Sequence, residues 1–239
     1  MPEYTKCTQA LWKIYRGGMM PIIPDIKCKS PGEGDLLRGR DPALLAAELE
    51  KAGAPVISVV TEADHFGGSM ELLRRITGSV KVPVIRKDFI SNRDMLKESA
   101  EYGASAVLLI SSMLKKTQLL QLTEYARQLE LEPLVETHSM EEIEFADRQG
   151  LSFIGINNRD IGIFETDCGN VGVTERMAPH VKSGALILSE SSISCREDVL
   201  LAAKAGAHAV LVGTAILKAD NAAGMYRSLS VCPSYYTGQ

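Results

Sequence analysis

No excess of basic charge runs through this sequence. Its 26 Lys and Arg stand against 30 Asp and Glu, giving a formal net charge of −4 and a pI near 5.7. A chain without a general basic surface has little to neutralise a phosphate backbone, so no nucleic-acid partner is expected. Small anionic ligands stay open, because they need only a few local cations. No apolar run approaches the ~18 residues of a spanning helix, so no membrane partner is expected either. The cysteines, Cys7, Cys28, Cys168, Cys195 and Cys232, are odd in number. They form no C-x-x-C pair and follow no secretory apolar stretch, which points to a reduced, cytoplasmic setting. His65, His138, His180 and His208 are scattered without metal-ligand spacing, so no metal is expected.

What the chain does have is a repeated junction. Helix-like segments end in Gly-Ala or its equivalent and pass at once into apolar, β-branched runs, as at Gly53, Gly103, Gly150 and Gly206. A glycine there supplies the left-handed residue that closes a helix, and a continuous apolar run reads as a strand buried on both faces. Eight runs follow the pattern: 21–27, 56–62, 82–89, 106–112, 133–138, 153–158, 185–191 and 209–213. Asp41-Pro42 predicts a helix start, and Ser139–Glu142 and Ser194–Glu197 read as capping boxes. Eight alternating units favour a closed α/β barrel, a (β/α)8 TIM barrel, over an open doubly wound sheet, and no G-x-G-x-x-G follows the first strand. Residues 1–20 are expected to form a short N-terminal helical extension, capping the barrel bottom or lying beside the active site. Residues 21–239 are expected to form the catalytic barrel, with 231–239 a loosely held tail.

Chemistry in such barrels sits at the C-terminal ends of the strands. Alternation puts Asp25 and Lys27 on one face of the first strand and Ile85, Lys87 and Phe89 on one face of the third. Glu136 ends the fifth strand, Asn157 the sixth and Glu190 the seventh. Two lysines and several carboxylates thus converge on one mouth, an arrangement unfavourable for stability alone. Gly213-Thr214, Ser191 and Ser30 stand near small residues where an anion could approach.

Taken in order, these motifs resemble the indole-3-glycerol phosphate synthase family over Ile22 to Leu217. The resemblance rests on Asp25-Ile-Lys27-Cys-Lys-Ser30-Pro31, Thr61-Glu62, Phe66-Gly-Gly-Ser69, Lys87-Asp88-Phe89, Leu134-Val-Glu136, Gly155-Ile-Asn157-Asn158-Arg159-Asp160, Ser189-Glu190-Ser191 and Val212-Gly213. It implies a carboxy-lyase of tryptophan biosynthesis. The family closes the ring of 1-(2-carboxyphenylamino)-1-deoxyribulose 5-phosphate, releasing carbon dioxide and water. By that resemblance Lys87 is the general acid on the ketone, Lys27 faces the anthranilate carboxylate, and Glu136 acts in dehydration. Asn157 and Glu190 hold polar groups, Phe66, Phe89 and Leu108 form an apolar floor, and Ser30, Ser191, Gly213 and Thr214 surround the phosphate. No cofactor is implied, because collapse of the cyclised cationic intermediate drives decarboxylation. A small phosphorylated substrate and a monomer or weak homo-oligomer are expected. Burial and a cationic neighbour are expected to lower the Lys87 pKa.

Three departures stand out. Asp25 replaces the family's Glu, and Ser192 replaces the glycine of Glu-Ser-Gly-Ile, where a side chain would crowd the phosphate or meet an unfavourable backbone angle. The first strand also begins early, so the N-terminal cover reads as short. The two changes beside the substrate leave open a divergent paralogue that takes a related phosphorylated substrate, or binds it without turnover.

Overall fold

The computed structural model describes residues 7–159 and 170–232. All eight apolar runs are strands: β1 (Ile22–Ile26), β2 (Ile57–Val60), β3 (Val84–Lys87), β4 (Ala106–Ile110), β5 (Glu132–Thr137), β6 (Phe153–Asn157), β7 (Leu186–Glu190) and β8 (Ala209–Val212). Each pairs in parallel with its sequence neighbour, and β1 closes the ring on β8 through Ile22 opposite Val210. The result is a TIM barrel. Each strand stops one or two residues short of the end of its apolar run, because the last residues turn out of the ladder into the loops at the barrel mouth.

A period of two hides inside the continuous apolar runs. Ile23, Ile85, Leu108, Leu134, Leu188 and Leu211 point inward and pack together. Their chain neighbours Ile22, Val84, Val107, Val135, Ile187 and Val210 point outward against the helices. Both faces of every strand are therefore dry, as parallel strands covered by helices require. The junction glycines adopt the left-handed backbone expected of them, with φ 109° at Gly53 and 99° at Gly206.

Helix starts follow local chemistry. Asp41 accepts from the Ala43 and Leu44 amides ahead of Pro42. Ser139 caps its helix through the Glu142 amide, but the Glu142 carboxylate takes the His138 amide instead of closing a box on Ser139. At the helix after β7, Arg196–Lys204, the expected box is displaced by one residue. Cys195 is the cap, and Asp198, not Glu197, accepts from the Ser194 and Cys195 amides. Asp198 stands three residues from Cys195, the separation that brings a side chain back to the first free N–H.

The helix Cys7–Arg16 resolves one open expectation: it caps the bottom of the barrel. Cys7 and Leu11 are fully buried among strand-start residues such as Val56, Phe153 and Ala209. The Thr8 amide donates to Glu132 at the start of β5 (3.1 Å), and the Trp12 ring sits 4.6 Å from that of His208. The start of the expected loose tail is instead held: Val231 is buried, and its carbonyl accepts from the Met20 amide at 3.0 Å. Residues 233–239 lie outside the described residues, as do Asp160 and Cys168. Among the described residues no helix is long and apolar enough to cross a membrane.

Candidate active site

Two cavities open at the C-terminal ends of the strands. One, of about 90 Å³, has Val60, Phe66, Phe89, Leu108 and Ile110 on its apolar side and Asp25, Lys27, Glu62, Lys87, Glu136, Asn157 and Arg159 on its polar side. The other, of about 360 Å³, lies toward β7 and β8 and is lined by Ser191, Ser192, Ser194, Gly213, Thr214, Lys218 and Glu33. Asp25, Lys27, Lys87, Arg159 and Ser191 line both, so the two form one cleft with an apolar end and a polar end.

Lys87 occupies the middle. Its ammonium donates to Glu190 Oε2 at 2.8 Å and stands 3.8 Å from Glu136 Oε2. Burial alone would lower its pKa, but the carboxylates of Glu190, Asp25 and Glu136 outweigh burial and hold it above the ordinary lysine range. The expected lowering is therefore reversed. The neighbours that matter are carboxylates. Glu190 is fully buried, and that desolvation together with Glu136 and Asp25 pushes its carboxyl up despite the Lys87 partner. Glu136 moves the other way. Its burial is overcome by His138, whose Nε2 lies 3.2 Å from Oε1, by Lys87, and by the Asn157 amide at 3.2 Å, leaving it well below the usual carboxylate range. Burial pulls the His138 imidazole down, but Glu136 more than compensates and its pKa is raised.

Loop geometry places the remaining groups. Asp25 accepts from Ser58 Oγ beneath it at 2.6 Å. The Lys27 ammonium faces the Phe66 ring at 5.9 Å. Phe66 is carried by a turn whose amides at Asp64, His65 and Phe66 all converge on the Glu62 carboxylate (3.0, 2.8 and 3.0 Å). Arg86, next to Lys87 but facing outward, donates to Thr61, Met95, Ser99, Glu98 and Asp88 and so anchors the end of β3.

Of the residues proposed from sequence, all but Ser30 and Glu190 line the cleft; Glu190 is fully buried and meets the cleft only through the Lys87 ammonium. Ser30 is buried in a small hairpin, Lys29–Ser30 against Gly34–Asp35, and lines neither cavity. Sequence reasoning missed Arg159 and Lys218 as lining cations. Arg159 lay inside a quoted motif, so a polar residue two positions past β6 was the available signal. Lys218 sits five residues beyond Gly213 and reaches the cleft only because the helix Thr214–Lys218 folds back toward the hairpin, where its ammonium meets Glu33 Oε2 at 2.7 Å. Asn158 was also missed as an organiser. Its amide nitrogen donates to Ser189 Oγ, the Glu190 carbonyl and the Ser191 carbonyl, while its oxygen accepts from Thr174.

A closed parallel barrel with a charged, two-ended cleft at the carboxyl ends of its strands defines the class: a (β/α)8-barrel enzyme acting on a small ligand. A family model described as indole-3-glycerol phosphate synthase matches residues 6–229. The chain is 44% identical over 207 residues to the indole-3-glycerol phosphate synthase of Pyrococcus furiosus, covering 87% of this chain and 90% of that protein. The synthase of Thermococcus kodakarensis is 43% identical over 208 residues, covering 87% and 91%. That of Carboxydothermus hydrogenoformans is 41% identical over 214 residues, covering 89% and 80%. Among solved structures, thiamine phosphate pyrophosphorylase from Pyrococcus furiosus superposes with a TM-score of 0.62 at 13% identity, over 88% of this chain and 92% of that one, a likeness of fold alone. The chain belongs to the indole-3-glycerol phosphate synthase family.

Proposed function

We propose that this barrel converts 1-(2-carboxyphenylamino)-1-deoxyribulose 5-phosphate to indole-3-glycerol phosphate, releasing carbon dioxide and water. One observation carries the reading: the apolar and polar cavities share both Lys27 and Lys87. A substrate with an aromatic ring at one end and a phosphate at the other would span such a cleft, and its ketone would lie near the shared lysines. Holding two ends of a flexible chain is how a site raises the rate of an intramolecular closure.

The first step joins the ring carbon bearing the carboxylate to the ketone carbon, and the ketone oxygen becomes an alkoxide. Lys87, kept cationic by three carboxylates, stabilises that charge and hands over its proton as the bond forms. Loss of carbon dioxide from the same ring carbon restores aromaticity. The new hydroxyl then leaves as water on a proton from Lys27, while Glu136, held ionised by His138 and Lys87, takes the proton lost from the adjacent carbon as the ring double bond forms. Lys27 holds the anthranilate carboxylate, Asn157 holds a polar group of the chain, Glu190 acts through Lys87, which it holds in place, and Phe66, Phe89 and Leu108 flank the ring. Ser191, Gly213 and Thr214 surround the phosphate. The reading includes a cytoplasmic setting, supported by the free thiols of Cys7, Cys28 and Cys195. It also includes a monomer or weak homo-oligomer without a nucleic-acid partner.

Incubation of the purified chain with this substrate is expected to yield indole fluorescence, with Lys87→Ala lowering the rate by roughly 10²–10³. Substrate binding without fluorescence above the Lys87→Ala control would remove the proposal in favour of a binding protein.

A further inference from the structure

We infer that the Ser192 hydroxyl is a specificity-determining donor to the phosphate group of the substrate, an inference that rests on the proposed reaction. Immediately after β7 the chain makes a turn in which two successive side-chain-bearing residues are left-handed, Ser191 at φ 66° and Ser192 at φ 59°. A side chain makes that backbone unfavourable, a cost that glycine would avoid. Strain of this kind persists only where the surroundings impose it. Here Asn158 imposes it, by clamping the carbonyls of Glu190 and Ser191 from the neighbouring strand end.

The second observation concerns the side chain that the strain retains. Ser192 Oγ is shielded from solvent and has no hydrogen-bond partner among the described residues. A hydroxyl shielded from water and left unpaired is unfavourable. Backbone strain and an unpaired hydroxyl thus coincide at one residue, and that residue lines the polar cavity together with Gly213, Thr214 and Lys218. A ligand oxygen entering that cavity would remove the second cost. A phosphate monoester suits the place, because its oxygens accept hydrogen bonds from hydroxyls and its charge is met by the cations that line the cleft. In this chain the side chain therefore adds a contact at a position where the family resemblance has glycine, which offers none.

The experiment compares Ser192→Ala, which removes the hydroxyl and keeps the strained backbone, with Ser192→Gly, which removes both. Steady-state kinetics with the carboxyphenylamino-deoxyribulose phosphate are measured beside the calorimetric Kd for inorganic phosphate and the melting temperature. Both variants are expected to raise KM about tenfold with kcat within about twofold, the pattern of a contact made equally in ground and transition states. Both are expected to weaken inorganic phosphate, and only the glycine variant is expected to melt above the parent. A KM and a phosphate Kd within twofold of the parent in Ser192→Ala would overturn the inference. So would a raised KM in the alanine variant alone, since the glycine variant lacks the hydroxyl as well. If the parent chain fails to turn over the substrate, the proposed reaction falls, and the phosphate Kd values still decide whether Ser192 contacts the anion.

Discussion

Gly155 on β6 offers the sharpest perturbation of the catalytic centre. A methyl group built there would lie 2.1 Å from Glu190 Oε1 and 3.2 Å from its Cδ. Ordinary van der Waals contact begins near 3.4 Å, so the carboxylate would have to retreat by roughly 1.3 Å. Glu190 has no exposed surface into which to retreat, and its other oxygen holds the Lys87 ammonium at 2.8 Å. Gly155→Ala is therefore expected to behave as an overpacked core, losing about 1–3 kcal/mol of stability. It is also expected to misplace Lys87. A displacement near 1 Å at a reacting group costs about 10² in rate, or roughly 2.7 kcal/mol of transition-state stabilisation. Urea denaturation and kcat of the same preparations measure the two effects separately. Combining Gly155→Ala with Glu190→Asp, whose carboxylate is one methylene shorter, should recover most of the stability and leave kcat low. Such a rescue is the non-additivity that contacting residues display. A single Gly155→Ala variant with kcat within threefold and stability within about 0.5 kcal/mol of the parent would show that Glu190 does not hold Lys87 in place.

Three further outcomes follow from the geometry. The His138–Glu136 pair should give a pH-dependent contribution to stability. The raised histidine contributes fully below its ordinary 6.5 and loses its contribution as pH rises through the higher folded value. The depressed Glu136 contributes fully above its ordinary 4.5 and loses its contribution as pH falls through the lower folded value. The stability difference between the parent and His138→Asn, roughly 1 kcal/mol, should thus be widest between those two values and shrink by pH 9; a difference independent of pH would contradict the pairing. Arg86→Met leaves Thr61, Ser99 and Asp88 without their shared donor, and should cost about 3 kcal/mol in denaturant titrations; a loss under about 1 kcal/mol would show the network to be dispensable. Thr8→Val removes a hydroxyl that donates to Glu132 at the barrel bottom. It should lower stability by about 1 kcal/mol with kcat unchanged, and a fall in kcat would contradict the separation of the two ends.

How far the sequence reaches is plain from particular residues. Continuous apolar runs, the junction glycines and the Asp41-Pro42 start are local signals, and local signals are enough to place strands, helix starts and the closed α/β class. The alternation that directs Asp25 and Lys27, or Ile85, Lys87 and Phe89, to one face is likewise a property of the extended backbone. Ser192 was legible as a position of crowding or strain only through the family resemblance, which has glycine there; the left-handed backbone itself is set by the turn after β7. The displaced cap at Cys195 and Asp198 was not legible, since Ser194–Glu197 satisfies the same spacing and only the path of the chain entering the helix chooses between them.

What tertiary structure alone decided is the electrostatics and the partnership of distant groups. The charge state of Lys87 depends on Glu190, Asp25 and Glu136, which arrive from three other strands, and their proximity reverses the shift that burial would cause. Asn158 becomes the clamp on the Ser191–Ser192 turn because β6 and β7 are hydrogen-bonded neighbours. Lys218 and Glu33 meet although 185 residues separate them, because barrel closure sets β8 beside β1. Coulomb and hydrogen-bond energies depend on distance in space, and a chain's own order determines that distance only over a few residues.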